Sequence, residues 1–461
     1  MSDLDLRRYR NIHLVGIGGC GMSGIAKVLH EMGCKVTGSD TKEGVNTVRL
    51  KDLGIKVHIG HGSAHVRNTD LVVYSSAVTM DNPELKEAVA KGTRIIKRAE
   101  ALAWIMEQSK ERIAVAGTHG KTTTTAMLAK VFASANLNPT FLIGCDMDYV
   151  DGNARLGDGR FMITEADESD SSFLFFAPTA EVITNIEADH MEHFGSLEVL
   201  YSTFEKFAGR TAADGLIVID GTDQNNQQLM KKIDRRFITY GLDQAMDYSA
   251  RELKYSHFSS SYELMVAGES IGVVNLSVPG WQNILNSLAV FALGFEYGLE
   301  FGAVAGALQT FSGARRRFST VGEQDGVLII DDYAHHPTEV KATLSAARTG
   351  WPGRRIICIF QPHRYTRTML LKDKFAGAFD HADKLIITDI YAASEKPIPG
   401  ISGKTLADLN DPKKTSYVPK KENIAQQLAG EIKPGDIILT LGAGDIHTVG
   451  KEILSRLKMK K

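Results

Sequence analysis

Residues 111–128 read ERIAVAGTHGKTTTTAML, an apolar run followed by a glycine loop, one lysine and the start of a helix. Gly117 and Gly120 allow the backbone to wrap tightly, so that successive N–H groups and the next helix can point at phosphate oxygens. Lys121 adds a positive charge, and Thr122 offers a hydroxyl group to magnesium. The segment therefore predicts a nucleoside triphosphate site on a strand–loop–helix unit.

This loop is shorter than the standard P-loop. The full pattern has a glycine five residues before Gly120, where this chain has Val115, and the difference weakens the prediction of an ordinary GTPase. The alternative is a structural turn with an incidental lysine, but Gly-Lys-Thr at a strand–helix junction favours nucleotide binding. The residues predicted to bind the nucleotide are Gly117, Thr118, His119, Gly120, Lys121, Thr122 and Thr123.

The chain is long enough, at 461 residues, for about three domains. A polar stretch at 109–112 and a charged, glycine-bearing stretch at 312–326 are the natural boundaries. We expect domains at 1–108, 109–318 and 319–461. In each of them short apolar strands alternate with helical stretches, which predicts an α/β fold built on mostly parallel sheets.

Composition limits the classes of molecule that the protein is expected to bind. Lys and Arg total 53 against 55 acidic residues, so no basic surface for nucleic acid is expected. The four cysteines show no C-x-x-C spacing, which argues against a disulfide framework and a cysteine zinc site. No stretch approaches the ~20 apolar residues that span a bilayer. These features favour a cytoplasmic protein that acts on small molecules, without membrane insertion.

A second glycine loop lies near the N-terminus. Gly16-x-Gly18-x-x-Gly21, followed by Asp40 after the next strand, matches the dinucleotide fingerprint. NAD, FAD and a UDP-sugar are all compatible with it, and close helix packing is the alternative. Because a separate triphosphate loop is present, we expect this loop to hold the pyrophosphate of a substrate.

Acidic side chains follow two apolar strands of the middle region. TEADESDSSF begins at Thr164, and Glu165 is the leading candidate for a magnesium ligand. A later strand ends in NIEADH, which would bring His190 to the same sheet edge if the strands are neighbours. Taken singly, Glu187 or His193 is better explained as a solvated loop residue.

The last third of the chain carries two further polar segments after apolar strands. DDYAHHPTEV begins at Asp331, and its two histidines are either metal ligands or the N-terminal cap of a helix that starts at Pro337. His363, Arg364 and Arg367 suit a carboxylate or a phosphate, because arginine forms bidentate pairs with such anions. An amino acid substrate would supply that carboxylate.

Several motifs occur together in a fixed order. They are GIGGCGMSGIA from Gly16, SSAV from Ser75, GTHGKTT from Gly117, EADESD from Glu165, NIEADH from Asn185, DDYAHHPTE from Asp331, QPHRYTR from Gln361 and GAGDI from Gly442. With them the chain resembles the Mur ligases of peptidoglycan synthesis across essentially its whole length. The YAHHP and PHRYTR segments look most like the member that adds alanine.

The resemblance implies a Rossmann-like UDP-sugar domain, a central P-loop ATPase domain and a C-terminal Rossmann-like domain that binds the amino acid. It also implies the reaction. The lactyl carboxylate of UDP-N-acetylmuramate would attack the γ-phosphate of ATP, and the amine of L-alanine would attack the resulting acyl phosphate, releasing ADP and phosphate. Two Mg²⁺ ions are expected, with Mn²⁺ as a substitute, in a monomer or homodimer.

The resemblance also assigns site residues. Thr122, Glu165 and His190 would hold the magnesium ions. The catalytic candidates are Lys121, Glu165, His190, His336, Arg364 and Arg367, and Asn283 and Arg317 would join the nucleotide loop in binding ATP. The remaining substrate-binding candidates are Gly18, Gly19, Gly21, Met22, Ser23, Asp40, Ser75, Ser76, Asp167, Ser169, Tyr333, His335 and His363.

Two positions depart from the family pattern. Gln282 stands where a histidine is usual, two residues after Gly280, and Cys145-Asp146 follows Gly144 where a second glycine is expected. Lys206 lies near the region where sister ligases carry a carbamoylated lysine, a modification that the sequence does not establish here.

Three other functions compete with the alanine ligase. A recycling ligase would attach a preformed peptide to the same muramyl carboxylate. A nicotinamide-dependent dehydrogenase is suggested only by the first glycine loop and Asp40. A non-catalytic nucleotide-binding scaffold is disfavoured by the intact set of Lys121, Thr122 and Glu165.

Overall fold

The computed structural model describes residues 4–147 and 152–459. The chain forms two compact units, of which the first comprises Met1–Glu187, Leu197–Ser249 and Asn286–Ala307. The second comprises Ala188–Ser196, Ala250–Leu285 and Leu308–Lys461. Within the described residues, no helix combines the length and the apolar character needed to cross a bilayer.

The N-terminal part of the first unit is a five-stranded parallel sheet with strand order β3-β2-β1-β4-β5. Its elements are β1 (Asn11–Val15), α1 (Cys20–Glu31), β2 (Lys35–Asp40), α2 (Val45–Asp52), β3 (Lys56–Ile59), β4 (Leu71–Tyr74), α3 (Pro83–Ala90), β5 (Arg94–Lys97) and α4 (Arg98–Glu107). Strand order reverses at β1, whose neighbours are β2 and β4. In such sheets ligands bind at this reversal, beyond the carboxyl ends of the strands, where the first glycine loop lies.

The middle of the chain begins with β6 (Glu111–Ala116), a strand whose last four residues are buried, as a parallel strand covered on both faces requires. The following elements are α5 (Lys121–Ser134), β7 (Thr140–Met147), β8 (Gly152–Arg155), β9 (Phe161–Glu165), β10 (Ala180–Ile183), α6 (Met191–Phe194), α7 (Leu197–Ala208), β11 (Leu216–Asp220), α8 (Gln224–Met230), β12 (Arg236–Gly241) and β13 (Tyr248–Ser256). In the first unit the strand order is β12-β11-β10-β6-β9-β7-β8, with β8 antiparallel to β7.

The chain after β12 forms strands with both parallel and antiparallel pairing. After β13 the chain forms β14 (Ser259–Val266), β15 (Glu269–Leu276), α9 (Trp281–Glu296) and α10 (Phe301–Gln309). β14 and β15 pair antiparallel, whereas the first residues of β13 pair parallel with β12.

The C-terminal part of the second unit is a six-stranded sheet of order β16-β17-β21-β18-β19-β20, in which only the edge strand β16 (Ser319–Gln324) is antiparallel. The other elements are β17 (Val327–Asp332), α11 (Pro337–Gly350), β18 (Ile356–Phe360), α12 (Tyr365–Phe375), β19 (Lys384–Ile387), α13 (Gly403–Ala407), β20 (Thr415–Tyr417), α14 (Ile424–Leu428), β21 (Ile437–Leu441) and α15 (His447–Met459). Apolar clusters cover both faces of this sheet. The α/β class with mostly parallel sheets is confirmed.

Two side-chain contacts in the first unit join its N-terminal sheet to the central strands. Arg49 on α2 donates from both terminal nitrogens to the carboxylate of Asp146 on β7, at 3.1 and 3.2 Å. Asn153 Nδ2 donates to the carbonyl oxygen of Cys20 at 2.7 Å. Asp146, which departs from the family pattern, therefore has a structural partner in this chain.

The central core contains one acidic side chain with an unusual protonation state. Glu181 on β10 is fully buried, and among the described residues neither of its carboxyl oxygens makes a hydrogen bond of ordinary geometry. Burial raises the pKa of Glu181 to about 8, and the Thr211 hydroxyl opposes that shift only in part. The native protein therefore keeps this carboxyl group protonated at neutral pH.

We predict that Glu181→Gln removes a pH dependence of stability. The unfolded chain ionises this group near pH 4.5, so native stability falls as pH rises from 4.5 to about 8, by roughly 1.4 kcal/mol per pH unit. Urea unfolding of the wild type at pH 5 and pH 8 should differ accordingly, and the Glu181→Gln variant should lack this component. Glu205→Gln, at a surface position whose side chain is 41% exposed, is the matched control. Equal pH dependence in the wild type and in Glu181→Gln would contradict the prediction.

Candidate active site

The nucleotide loop between β6 and α5 is shaped by two glycines in the left-handed region. Gly117 has φ +128° and Gly120 has φ +85°. A Cβ atom on Gly117 would lie 2.0 Å from the Thr184 hydroxyl, and one on Gly120 would lie 2.7 Å from Asn286 Oδ1. Both positions therefore require glycine, and the backbone they free is the part of the loop that faces a phosphate in P-loop proteins.

The loop is fixed by hydrogen bonds to the segment that follows β10. The Thr118 N–H donates to the Asn185 carbonyl at 2.8 Å, and the His119 N–H donates to Asn185 Oδ1 at 2.9 Å. The Thr118 hydroxyl accepts from the Glu187 N–H at 2.8 Å. These bonds hold the loop in one conformation, so a phosphate would meet a preformed site.

Lys121 is the first residue of α5, and its ammonium group is paired with a buried carboxylate. The Nζ atom lies 2.9 and 2.8 Å from the two carboxylate oxygens of Glu168 and donates to the Thr118 carbonyl at 3.1 Å. Burial favours the neutral amine, but the carboxylates of Glu168 and Asp167 outweigh it and raise the pKa of Lys121. The lysine is therefore fully charged. The sequence did not single out Glu168 as its partner.

Thr122 and Glu165 lie side by side at the start of α5 and the end of β9. The Thr122 hydroxyl donates to Glu165 Oε2 at 3.0 Å, and the Gly144 N–H donates to the other carboxylate oxygen. A Cβ atom on Gly144 would lie 2.8 Å from Glu165 Oε2, so the backbone approaches this carboxylate closely. Hydroxyl and carboxylate oxygens are the ligands that Mg²⁺ prefers, and this pair fits such an ion.

The first glycine loop lies at the carboxyl end of β1, beside the end of β2. Asp40 Oδ2 accepts from the Gly18 N–H at 2.9 Å, and Ser75 packs against Gly16. The first turn of α1 has neither an N-cap side chain bonded to it nor an acidic residue. No side chain caps the N–H groups of this turn, which follows Gly19, so the N-terminus of α1 is suited to an anion.

Three of the substrate candidates near these loops have other structural roles. The side chain of Met22 is buried in the core, and the Ser23 hydroxyl donates to the Cys20 carbonyl at 2.9 Å. Both side chains therefore stabilise the first turns of α1. Asp167 Oδ1 accepts from the Ser169 N–H at 3.0 Å. The fourth candidate here, Ser76, is exposed.

The second unit gathers another group of candidates around a buried ion pair. Arg367 donates to Asp189 from Nε at 3.0 Å and from Nη2 at 2.9 and 3.1 Å, with side-chain exposures of 5% and 9%. Burial opposes ionisation of Asp189, but Arg367 and His190 outweigh it and hold the pKa of Asp189 well below its ordinary value. Arg367 is therefore committed to a carboxylate of the protein itself.

His190, Arg364 and Glu192 lie beside this pair. His190 adopts φ +55°, and its ring nitrogens lie 3.7 Å from an Asp189 oxygen and 3.8 Å from a Glu192 oxygen. Arg364 is ion-paired with Glu192, and the backbone N–H of Arg364 donates to the Tyr391 carbonyl at 2.9 Å. Glu192 was not among the sequence candidates, because a charged residue in a short helix gives no distinctive pattern.

Two histidines of this unit are held in their neutral forms. Burial lowers the pKa of His335 to about 4, and burial together with neighbouring His335 and Arg367 lowers that of His363 to about 3. His363 Nδ1 lies 3.1 Å from Arg367 Nη1, which can only donate, so His363 accepts there and carries its proton on Nε2. His363 also stacks on Tyr391 at 5.6 Å.

His336 behaves as a helix cap, the second of the two interpretations given above. Its Nδ1 accepts from the Thr338 N–H at 3.3 Å, and Pro337 occupies the first position of α11. The His336 side chain is fully buried. His335 Nδ1 lies 3.0 Å from the Tyr333 carbonyl oxygen.

Arg317 and Asn283, which the resemblance assigned to ATP binding, both make contacts within the second unit. The guanidinium groups of Arg316 and Arg317 lie 5.0 and 5.3 Å from the centre of the Tyr333 ring, and Arg317 is 3.8 Å from Glu339. Asn283 Nδ2 donates to the Pro279 carbonyl at 2.7 Å.

Gln282, the replacement for the usual histidine, packs beside Gly280. A Cβ atom there would lie 2.4 Å from Gln282 Oε1. The Gln282 side chain thus lies against the turn that begins α9, and the φ of +90° at Gly280 favours glycine there.

Models of known protein families match most of the chain. Residues 11–110 match the Mur ligase family catalytic domain, 115–294 the Mur ligase middle domain, and 316–444 the Mur ligase glutamate ligase domain. The chain therefore belongs to the Mur ligase family, a family of ATP-dependent enzymes, and the resemblance stated above is confirmed.

Curated relatives within the family are similar to this chain over nearly its whole length. The chain is 44% identical to the UDP-N-acetylmuramate–L-alanine ligase of Trichlorobacter lovleyi over 97% of this chain and 98% of the relative. It is also 44% identical to that of Desulforamulus reducens, with 98% of each chain covered. The crystal structure of UDP-N-acetylmuramate–alanine ligase from Thermotoga maritima matches with a TM-score of 0.84 at 32% identity, covering 98% of this chain and 100% of that one.

A murein peptide ligase from Psychrobacter arcticus is similar in fold. It has a TM-score of 0.72 at 23% identity and covers 97% of this chain and 98% of its own. At that identity the likeness concerns the fold alone.

We predict that Asp189→Asn strongly destabilises the second unit. The substitution leaves the buried Arg367 guanidinium without its counter-charge, which typically costs about 3–5 kcal/mol. Urea unfolding should show a loss of this size in the free energy of unfolding. Asp408→Asn, which removes an exposed pair with Lys404, is the control and should cost less than about 1 kcal/mol. Equal effects of the two substitutions would contradict the prediction.

Proposed function

We propose that this protein joins L-alanine to UDP-N-acetylmuramate at the expense of ATP, giving UDP-N-acetylmuramoyl-L-alanine, ADP and phosphate. The observation that carries the proposal is the set of Lys121, Thr122 and Glu165 around one glycine loop, in a chain similar over its full length to L-alanine ligases. The product would be a precursor of peptidoglycan in cell wall biogenesis.

The proposed organisation follows from the same similarity. Residues 1–108 would bind the UDP-sugar, 109–318 would bind ATP, and 319–461 would bind the amino acid. The enzyme would work in the cytoplasm as a monomer or homodimer. It would use two Mg²⁺ ions, which Mn²⁺ can replace, with Thr122 and Glu165 as ligands of one and His190 as a ligand of the other.

The loop and Lys121 supply the activation step. Magnesium, when bound, would neutralise phosphate charge while the muramyl carboxylate attacks the γ-phosphate. Lys121 would add a second positive charge, exchanging part of its contact with Glu168 for phosphate oxygens. A carboxylate oxygen is a poor leaving group until it is phosphorylated, so an acyl phosphate must form before the amine can attack.

The second unit would bind the amino acid substrate. Arg364 is the better candidate to bind the alanine carboxylate, because Arg367 is already engaged by Asp189 on three bonds. Tyr333, His335 and His363 would bind alanine as uncharged groups. With pKa values of about 4 and 3, His335 and His363 are poor bases at neutral pH, so we propose positioning roles for them rather than proton abstraction.

Amino acid specificity tests the proposal directly. We expect ADP release in the presence of UDP-N-acetylmuramate to be stimulated by L-alanine and, more weakly, by glycine and L-serine, because one methyl group is worth only ~1–3 kcal/mol of discrimination. Release should not be stimulated by a tripeptide that begins with L-alanine. Tripeptide-dependent turnover would identify the recycling ligase instead, and turnover with neither would exclude both.

Lys121→Ala should abolish turnover. Loss of one preorganised charge at the transferring phosphoryl group is expected to lower kcat by about 10²–10³-fold or more. Coupled ADP release measures the effect, with Lys232→Ala, an exposed lysine of the same unit, as the control. Retention of more than a tenth of the wild-type kcat would rule out the assigned role.

A further inference from the structure

Two segments of the second unit, residues 362–366 and 391–395, lie side by side at the start of α12. His363 and Tyr391 form a parallel bridge, and their rings stack with only 8° between the ring planes. The Arg364 N–H donates to the Tyr391 carbonyl at 2.9 Å. The 391–395 loop therefore holds the backbone that carries two of the residues proposed to bind alanine.

Both segments contain non-glycine residues with positive φ angles. Arg364 has φ +69° and ψ +139°, and Ala393 and Ser394 have φ +47° and +72°. Residues with a side chain rarely adopt such angles, which persist only where the surrounding structure imposes them. The conformation of Arg364 therefore depends on the contacts that hold its segment in place.

Glu395 makes the contact that ties the loop to the helix. One of its carboxylate oxygens accepts from the Thr366 N–H at 3.1 Å, and the other accepts from the Thr366 hydroxyl at 2.6 Å. Arg364, the N-cap residue of α12, makes no capping bond with its side chain. Glu395 takes the place of that cap from 29 residues further along the chain, and a negative charge is favoured at this end of a helix.

We propose that Glu395 is a positioning residue for the amino acid substrate. Its carboxylate fixes the 391–395 loop on the first turn of α12, and the loop in turn holds His363 and Arg364 in the conformation that binds alanine. The proposal rests on the proposed function and deepens it, because it adds a residue that acts through His363 and Arg364. Without this tether the strained segment would relax to ordinary backbone angles, and alanine would bind only the fraction of molecules that keep the competent conformation.

Steady-state kinetics of the full chain test the proposal, with one substrate varied at a time. Glu395→Ala should raise the KM for L-alanine at least about tenfold and leave the KM values for ATP and UDP-N-acetylmuramate within about threefold. Glu395→Gln should stay within about threefold of the wild type for all three substrates, because its amide group can still accept from the Thr366 N–H and donate to the Thr366 hydroxyl. Glu422→Ala is the matched control, since it removes a carboxylate of the same unit that is 69% exposed, and it should leave the three KM values unchanged.

Thr366→Val tests the same contact from the helix side. It removes the hydroxyl partner and keeps the N–H partner, so it should raise the KM for L-alanine by a smaller factor than Glu395→Ala. The double variant should match Glu395→Ala alone, because both substitutions act on one contact. Thr366→Val also decides the question if Glu395→Ala does not fold, and an unchanged KM for L-alanine in Thr366→Val would then overturn the proposal.

Hydrogen exchange followed by mass spectrometry gives a readout that does not depend on turnover. Amide exchange in residues 362–366 and 391–395 should be faster in Glu395→Ala than in the wild type. Exchange in the buried strands β17 and β18 should be unchanged, because the tether lies outside them.

The outcomes separate this proposal from the proposed function. An unchanged KM for L-alanine in Glu395→Ala, or unchanged exchange at 362–366, would overturn the role of Glu395 and leave the ligase function standing. Equal increases in all three KM values would assign Glu395 a general structural role and also overturn the proposal. If the wild type turned over no L-alanine, the proposed function would fail, and the proposed role of Glu395 in alanine binding would fail with it.

Discussion

The parallel register of β6 between β9 and β10 determines the geometry of the nucleotide site. Val115 pairs with Glu165 on one side, and Ala116 pairs with Ile183 on the other. The loop that leaves β6 therefore starts level with the end of β9 and just before the polar segment after β10. A shift of one residue in the β6–β9 pairing would turn Glu165 to the opposite face of the sheet and remove it from Thr122.

Each unit pairs a mostly buried cationic side chain with an acidic residue. Lys121 pairs with Glu168, which is 2% exposed, and Arg367 pairs with Asp189. Such buried pairs contribute little net stability, since desolvation offsets most of the attraction, but losing one partner is costly. Their value here is positional. Lys121 is thereby oriented beside the nucleotide loop before a phosphate binds, whereas Arg367 stays engaged by Asp189.

The sequence predicted the parts of the site that depend on strand ends. Glu165 was expected at the site because it follows an apolar strand, and the family resemblance assigned it to magnesium together with Thr122; the two side chains lie in hydrogen-bond contact. The pairing of Arg367 with Asp189 was not predictable, because 178 residues separate them and no periodic pattern links them. Likewise, Glu168 was one of several acidic residues in TEADESD, and only the fold selects it for Lys121. The assigned catalytic and binding roles stay predictions.

The charges in the second unit also determine which of its groups are protonated at neutral pH. His335 and His363 stay neutral because burial and the adjacent Arg367 oppose a further positive charge. Arginines therefore carry the positive charge there at neutral pH. In the proposed function, an incoming alanine would arrive as an ammonium ion and would meet arginines that are already paired with carboxylates of the protein. The two neutral rings would therefore add no positive charge against that ammonium ion, and with their lowered pKa values neither ring would be an effective base for its proton at neutral pH.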